Sequence, residues 1–234
     1  MLHKYLKNIG LEELVKDIER TPLNNLVTEV FAKSHDNFSR EEIEKLYIYD
    51  VPKLGPNGAC SITHEKEEKP YNLAHTLGLQ DDEILKNHPQ TLRLWRLKQI
   101  VSDLYKLTGV DWLGIYRKIT KANGDVVLVK EVYKGSFSRA EFPLTQEFAK
   151  TSNNSTVGLS GKAVFFQDLL IYKGPYYECD GQVQSEYCGS ILNKKGEVIG
   201  IIDAESFHKN FFTPEKILQL TKVCQDLGKI NLGA

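Results

Sequence analysis

Apolar residues in the first fifty positions recur every three or four places. Leu2, Leu6, Ile9, Leu11, Leu14, Val15 and Ile18 fall on one side of an amphipathic helix. Pro22 ends that helix or opens the next, where Leu23, Leu26, Val27, Val30 and Phe31 again share a face. Ser39, with Glu41 and Glu42 behind it, predicts an N-cap with acids in the first turn of a third helix. The pattern then dissolves. Pro52, Gly55, Pro56, Gly58 and Pro70 predict a long loop over about 50–70, and the EKEEK run at 65–69 reads as a solvated face.

From about residue 90 the pattern sharpens. Leu92, Leu94, Trp95, Leu97, Ile100, Val101, Leu104 and Leu107 form a helical stripe that stops at Gly109. Two apolar strands follow, VDWLGIYRKI and DVVLVKEVY, joined by Asn123-Gly124, a strong hairpin signal. TSNNST at 151–156 reads as a polar linker and VGLSGKAV as a turn running into a short helix. After a broken stretch at Gly174-Pro175, Lys195-Gly196 joins SEYCGSIL to EVIGIIDAES. Thr213 and Pro214 open a last helix that runs to Gly228. This order describes an α+β fold. A mainly helical extension, residues 1–87, precedes a domain over 88–234, whose antiparallel sheet of five or six strands has helices 90–107 and 214–227 packed together on one face.

Composition narrows the partners. Hydrophobic residues make up 41% and charged residues 26% of the 234, ordinary for a globular chain. Thirty Lys+Arg against 31 Asp+Glu leave a net charge of −1, which gives no bulk attraction to nucleic acid or an anionic membrane. No apolar run is long enough to span a bilayer, and the start MLHKYLKNIGLEEL reads as a helix rather than a leader. The four cysteines, Cys60, Cys179, Cys188 and Cys224, are too scattered for a disulfide scaffold. A cytoplasmic protein is expected. The six histidines show no metal-ligand spacing, so no metal is expected either.

Candidate chemistry gathers in the last two strands. Asp203 and Glu205 are two apart, so a regular strand puts both carboxyl groups on one face. There they raise each other's apparent pKa and keep a proton available. Glu186 adds a third carboxylate, suited to an ammonium group. Trp112 and Tyr116 also share a face and offer an apolar wall with cation–π character. Cys179 lies in a polar, glycine-containing turn where a thiol can reach solvent. Plainer readings stand beside these. Cys60, Cys188 and Cys224 read as buried core thiols, Trp112 and Tyr116 as core aromatics, and Asp203 and Glu205 as a strand-end cap.

Three runs together resemble a known group. They are Trp112-Leu-Gly-Ile-Tyr116, Cys179-Asp180 followed by Ser185-Glu186, and Val198 to Ser206, read VIGIIDAES. Over about 88–234 the chain resembles a GAF domain, and within that superfamily the free methionine-(R)-sulfoxide reductases. The resemblance implies thiol-dependent reduction of a free amino acid. Cys179 would attack the sulfoxide sulfur while Asp203 and Glu205 supply the proton. Trp112, Tyr116 and Glu186 would bind the substrate. It implies no tightly bound cofactor, an external thiol such as thioredoxin as reductant, and a homodimer. Two cysteines of that family are absent: Ser160 and Lys150 stand at their positions, and Glu205 replaces an Asp. Cys188 is the nearest replacement for a resolving thiol. A non-enzymatic module binding a small amine, or an interaction scaffold acting through residues 1–87, remains the alternative.

Overall fold

The structure is a computed structural model that describes residues 1–33, 39–54, 65–80, 87–177 and 180–230. The helical start is two pieces, not one. Helix α1, Leu2–Ile9, ends where Gly10 takes a left-handed φ of +82°, and a 3-10 helix, Glu12–Arg20, follows. Helices α2, Leu26–Ala32, and α3, Arg40–Tyr47, complete the N-terminal region. Ser39 caps α3 in a reciprocal box with Glu42, each side chain satisfying the other's backbone N–H.

The described part of the predicted loop holds regular structure. Strands β1, Ile48–Tyr49, and β2, Tyr71–Asn72, pair antiparallel, and Pro52 bridges Lys66. The two short strands are the hairpin's only regular part among the described residues. A short α4, Leu73–Thr76, leads towards the long helix α5, Pro89–Thr108.

The remainder is an antiparallel six-stranded sheet with flanking helices. Its strands are β3 (Trp112–Thr120), β4 (Val126–Lys134), β5 (Glu141–Pro143), β6 (Val164–Phe166), β7 (Ser185–Leu192) and β8 (Val198–Ser206), in the order β5-β4-β3-β8-β7-β6. Helix α8, Pro214–Lys229, packs with α5 on one face, over Leu113, Ile115, Val129, Ile202 and Ala204. The opposite face carries its own cluster, Trp112, Tyr116, Leu128, Phe142, Cys188 and Ile201. Helices α6, Gln146–Ala149, and α7, Asn153–Ser160, cover that side. Helices therefore flank both faces, where sequence patterning placed them on one.

The TSNNST linker is the reason. Ser152 accepts from the Ser155 N–H and caps α7, so the polar Asn153 and Asn154 form its first turn. Their side chains are spent on the sheet's buried acids, which no periodicity of apolar residues reveals.

Candidate active site

Strand alternation and register build the site. Trp112 lies opposite Glu205 and Gly114 opposite Asp203 across the β3–β8 pair, while Glu186 lies opposite Glu205 and Cys188 opposite Asp203 across β7–β8. Side chains two apart on each strand thus point into one cleft. Trp112, Tyr116, Glu186, Asp203 and Glu205 all line it, with Asn153 and Asn154 from α7 and Tyr176 and Tyr177 from the segment before β7.

The aromatic wall is fixed. The Trp112 indole donates through Nε1 to the Ser136 carbonyl at 2.9 Å and stacks on Tyr133 with ring centroids 6.2 Å apart. Glycines leave it room: a Cβ at Gly114 or Gly135 would come within 2.3 or 2.6 Å of the ring. Tyr116 lies 6.4 Å from Trp112, and Phe142 meets Tyr116 edge to face at 5.5 Å. Arg139 donates to the Tyr177 hydroxyl and lies over the rings of Phe148 and Phe142.

The acids are held differently from one another. Glu186 is buried and accepts from Tyr176 Oη at 2.6 Å and from Asn153 Nδ2 at 3.0 Å. Burial pushes its carboxyl up, against those two donors. Asp203 is 4% exposed, and its Oδ2 accepts from Asn154 Nδ2 at 3.0 Å. Its Oδ1 is buried with no hydrogen-bond partner among the described residues, a costly state that a ligand's donor or the acid's own proton relieves. Burial, then the charge of Glu186, push Asp203 well above the usual carboxylate range. A proton therefore resides in this pair at a pH where an exposed aspartate has lost its own.

Cys188 is a core thiol, as its apolar strand predicts, and it also has a polar partner. It is buried, but its Sγ donates to Asn154 Oδ1 at 3.4 Å. Asn154 thereby links the thiol to the acid, and its amide orientation follows from both partners. Burial first, then Asp203 and Glu186, push the Cys188 thiol well above its ordinary value, so it stays protonated. Cys224 lies on the other face of the sheet, donating towards the Gly189 carbonyl. Cys60 and Cys179 lie outside the described residues. The next described residue after Cys179, Asp180, begins the turn into β7.

Sequence reasoning missed Tyr176, Asn153 and Asn154. Tyr176 sits in an irregular segment and the asparagines in a stretch read as linker. Their only signal was polar residues flanking a strand that ends in acids.

Ser160, the last residue of α7, and Lys150, just after α6, are exposed on the outer side. Among the described residues, no group of three His, Cys, Asp or Glu could hold a metal ion, and no helix is long and apolar enough to cross a membrane.

Several solved structures are similar to the chain. A type II free methionine-R-sulfoxide reductase from Thermoplasma acidophilum is 22% identical with a TM-score of 0.52, covering 60% of this chain and 92% of that one. At that identity the likeness shows the fold alone. A free methionine-R-sulfoxide reductase from Neisseria meningitidis, solved in complex with its substrate, is 18% identical over 63% of this chain and 94% of that one, with a TM-score of 0.43. The GAF domain of an Acinetobacter phosphoenolpyruvate-protein phosphotransferase is 15% identical over 60% and 79%, at 0.45. No curated protein matches the chain. Residues 96–230, more than half of the sequence, match the GAF domain model, and the chain belongs to the GAF domain family.

Proposed function

We propose that the protein reduces free methionine-(R)-sulfoxide with electrons from an external thiol. The observation that carries this reading is the buried Asp203, held by Asn154 through one oxygen and unpartnered at the other, beside Glu186 in an aromatic-walled cleft. A small zwitterion with an apolar tail suits that arrangement. Glu186 and Glu205 face its ammonium group, and Trp112 and Tyr116 face the methyl sulfoxide. The protonated Asp203 donates to the sulfoxide oxygen through Oδ1. The sulfoxide sulfur becomes more electrophilic as its oxygen accepts that proton.

The Cys179 thiolate then attacks the sulfur. The S–S bond so formed and the substrate's S–O bond then break as the hydroxyl passes to Cys179, so methionine leaves as the thioether and Cys179 is left as a sulfenic acid. A second thiol condenses with that sulfenic acid to a disulfide and releases water, and a further thiol reduces the disulfide. Cys188 is the candidate resolving thiol within the chain. Its burial and raised pKa disfavour the thiolate that resolution needs, so a thiol from solution serves better. This chemistry suits a reducing compartment such as the cytoplasm.

The test is turnover of free methionine-(R)-sulfoxide with dithiothreitol. Methionine should accumulate with the wild type and not with Cys179→Ser, because a hydroxyl cannot replace the thiolate. Dithiothreitol should support more turnover than thioredoxin. Binding without turnover under any thiol would end the enzyme reading and leave a second one: a module that senses a small amine. Ser160 and Lys150, at the two positions where the resembling family carries cysteines, are what favour that second reading.

A further inference from the structure

Residues 1–87 precede the part of the chain that matches the family, yet they touch the cleft's walls from behind. Three separate threads run from the β1–β2 hairpin to residues that line the cleft.

The first is aromatic. Tyr71 packs on Tyr49 at 5.3 Å, Tyr49 meets Tyr133 edge to face at 5.7 Å, and Tyr133 stacks on Trp112. The second runs through a buried cation. Tyr49 Oη donates to the Lys130 carbonyl at 2.6 Å, beside the irregular register of β4, while the fully buried Lys130 places its Nζ 4.0 Å from the Tyr133 ring centroid and 5.0 Å from that of Tyr49. The same Nζ donates to the Ser138 carbonyl at 2.7 Å and hydroxyl at 2.8 Å, and Ser138 lines the cleft. The third runs along β5. Tyr71 Oη donates to Glu141 Oε1 at 2.6 Å, Arg139 donates to the Glu141 carbonyl, and Arg139 also donates to the hydroxyl of Tyr177, another lining residue.

We infer that Tyr49 and Tyr71, from outside the family-matched region, are positioning residues that hold Trp112, Ser138 and Tyr177 in their ligand-binding places. A wall of this kind must be fixed before the ligand arrives, because ordering it on binding would subtract from affinity. Without the hairpin, Tyr133 loses the ring against its edge and Lys130 loses one of the two rings beside its ammonium. The indole's support then weakens, although no atom of the hairpin reaches the cleft. The choice of ligand rests on the function proposed above, whereas the buttress itself does not.

The experiment is calorimetric titration of the full chain with free methionine sulfoxide, with near-ultraviolet circular dichroism recorded on the same samples. Tyr49→Ala should weaken binding about tenfold, and Tyr49→Phe and Tyr71→Phe, which keep the rings, by a few-fold. Asn24→Ala is the control. Asn24 ties the same N-terminal region to Gln219 of α8, far from the cleft, so its loss should lower Tm and leave affinity within about twofold. Wild-type affinity in Tyr49→Ala, or an equal loss in Asn24→Ala at matched Tm, would overturn the inference. If the wild type binds no methionine sulfoxide, the proposed function fails and the dichroism decides the buttress. The chain has two tryptophans, so Trp112→Phe identifies the Trp112 band; its loss in Tyr49→Ala but not in Asn24→Ala upholds the buttress, and its persistence in Tyr49→Ala refutes it.

Discussion

The two faces of the central sheet each bury acidic side chains, and they treat them in opposite ways. Under α5, Glu131 is fully buried and fully answered: Arg93 donates to both of its oxygens, at 2.8 and 2.6 Å, and Arg117 lies 3.8 Å away. On the cleft face, Asp203 is buried beside Glu186, and among the described residues neither pairs with a cation and one Asp203 oxygen has no partner. The first arrangement spends charge on holding the helix to the sheet. The second leaves a charge or a proton unanswered, a state suited to a ligand's donor or a proton transfer. Two buried acids in one sheet differ in meaning because their partners differ, not their depth.

The largest effect should come from breaking the answered acid. Arg93→Ala leaves Glu131 buried against a single, more distant cation and should cost about 3–5 kcal/mol in urea denaturation. Methionine sulfoxide affinity of the folded fraction should change little.

Asp203→Asn should do the reverse. Because its pKa is raised in the fold, Asp203's contribution to stability is fully present below about pH 4, the unfolded value, and is lost as pH rises through the raised value. The Asn variant should therefore be more stable than the wild type at pH 7–8. The gain should vanish near pH 4. Turnover should fall by at least about a hundredfold, the usual contribution of a general acid. A variant less stable than the wild type at pH 8 would remove the burial argument.

The smallest effects separate the two buried cysteines. Cys188→Ala removes the donor that fixes the Asn154 amide, at a cost of about 1 kcal/mol, and should shift the pH profile of turnover. Cys224→Ser, on the helix-covered face, should keep turnover within about twofold and leave the profile in place. Identical profiles in both would erase the distinction between the faces.

The fold was legible where side-chain period and backbone chemistry agree. The stripe from Leu92 to Leu107 gave α5, Asn123-Gly124 and Lys195-Gly196 gave two hairpins, and Thr213-Pro214 gave the start of α8. Alternation also sufficed to place Trp112 with Tyr116, and Asp203 with Glu205, on common faces. It failed where polar residues work on other polar residues. Asn153 and Asn154 open a helix because Ser152 caps it and the sheet's acids take their amides, an exchange between positions about 30 to 50 apart in sequence. Gly10 split a helix whose apolar stripe continues on both sides of it, since a stripe records which face is buried and not where the backbone turns. Cys188 is core, as its apolar strand predicts, but only the register to Asp203 shows what stands beside it.

The central claim is that the cleft face recognises a free amino acid through its acids and reduces its sulfoxide. The most direct measurement compares three compounds under dithiothreitol: free methionine-(R)-sulfoxide, the free (S) epimer, and the N-acetylated (R)-sulfoxide. Only the first should yield the thioether at an appreciable rate, because acetylation removes the cation that Glu186 and Glu205 face and inversion turns the oxygen away from Asp203. Equal reduction of the N-acetylated compound, or no reduction of the free (R)-sulfoxide, would contradict it.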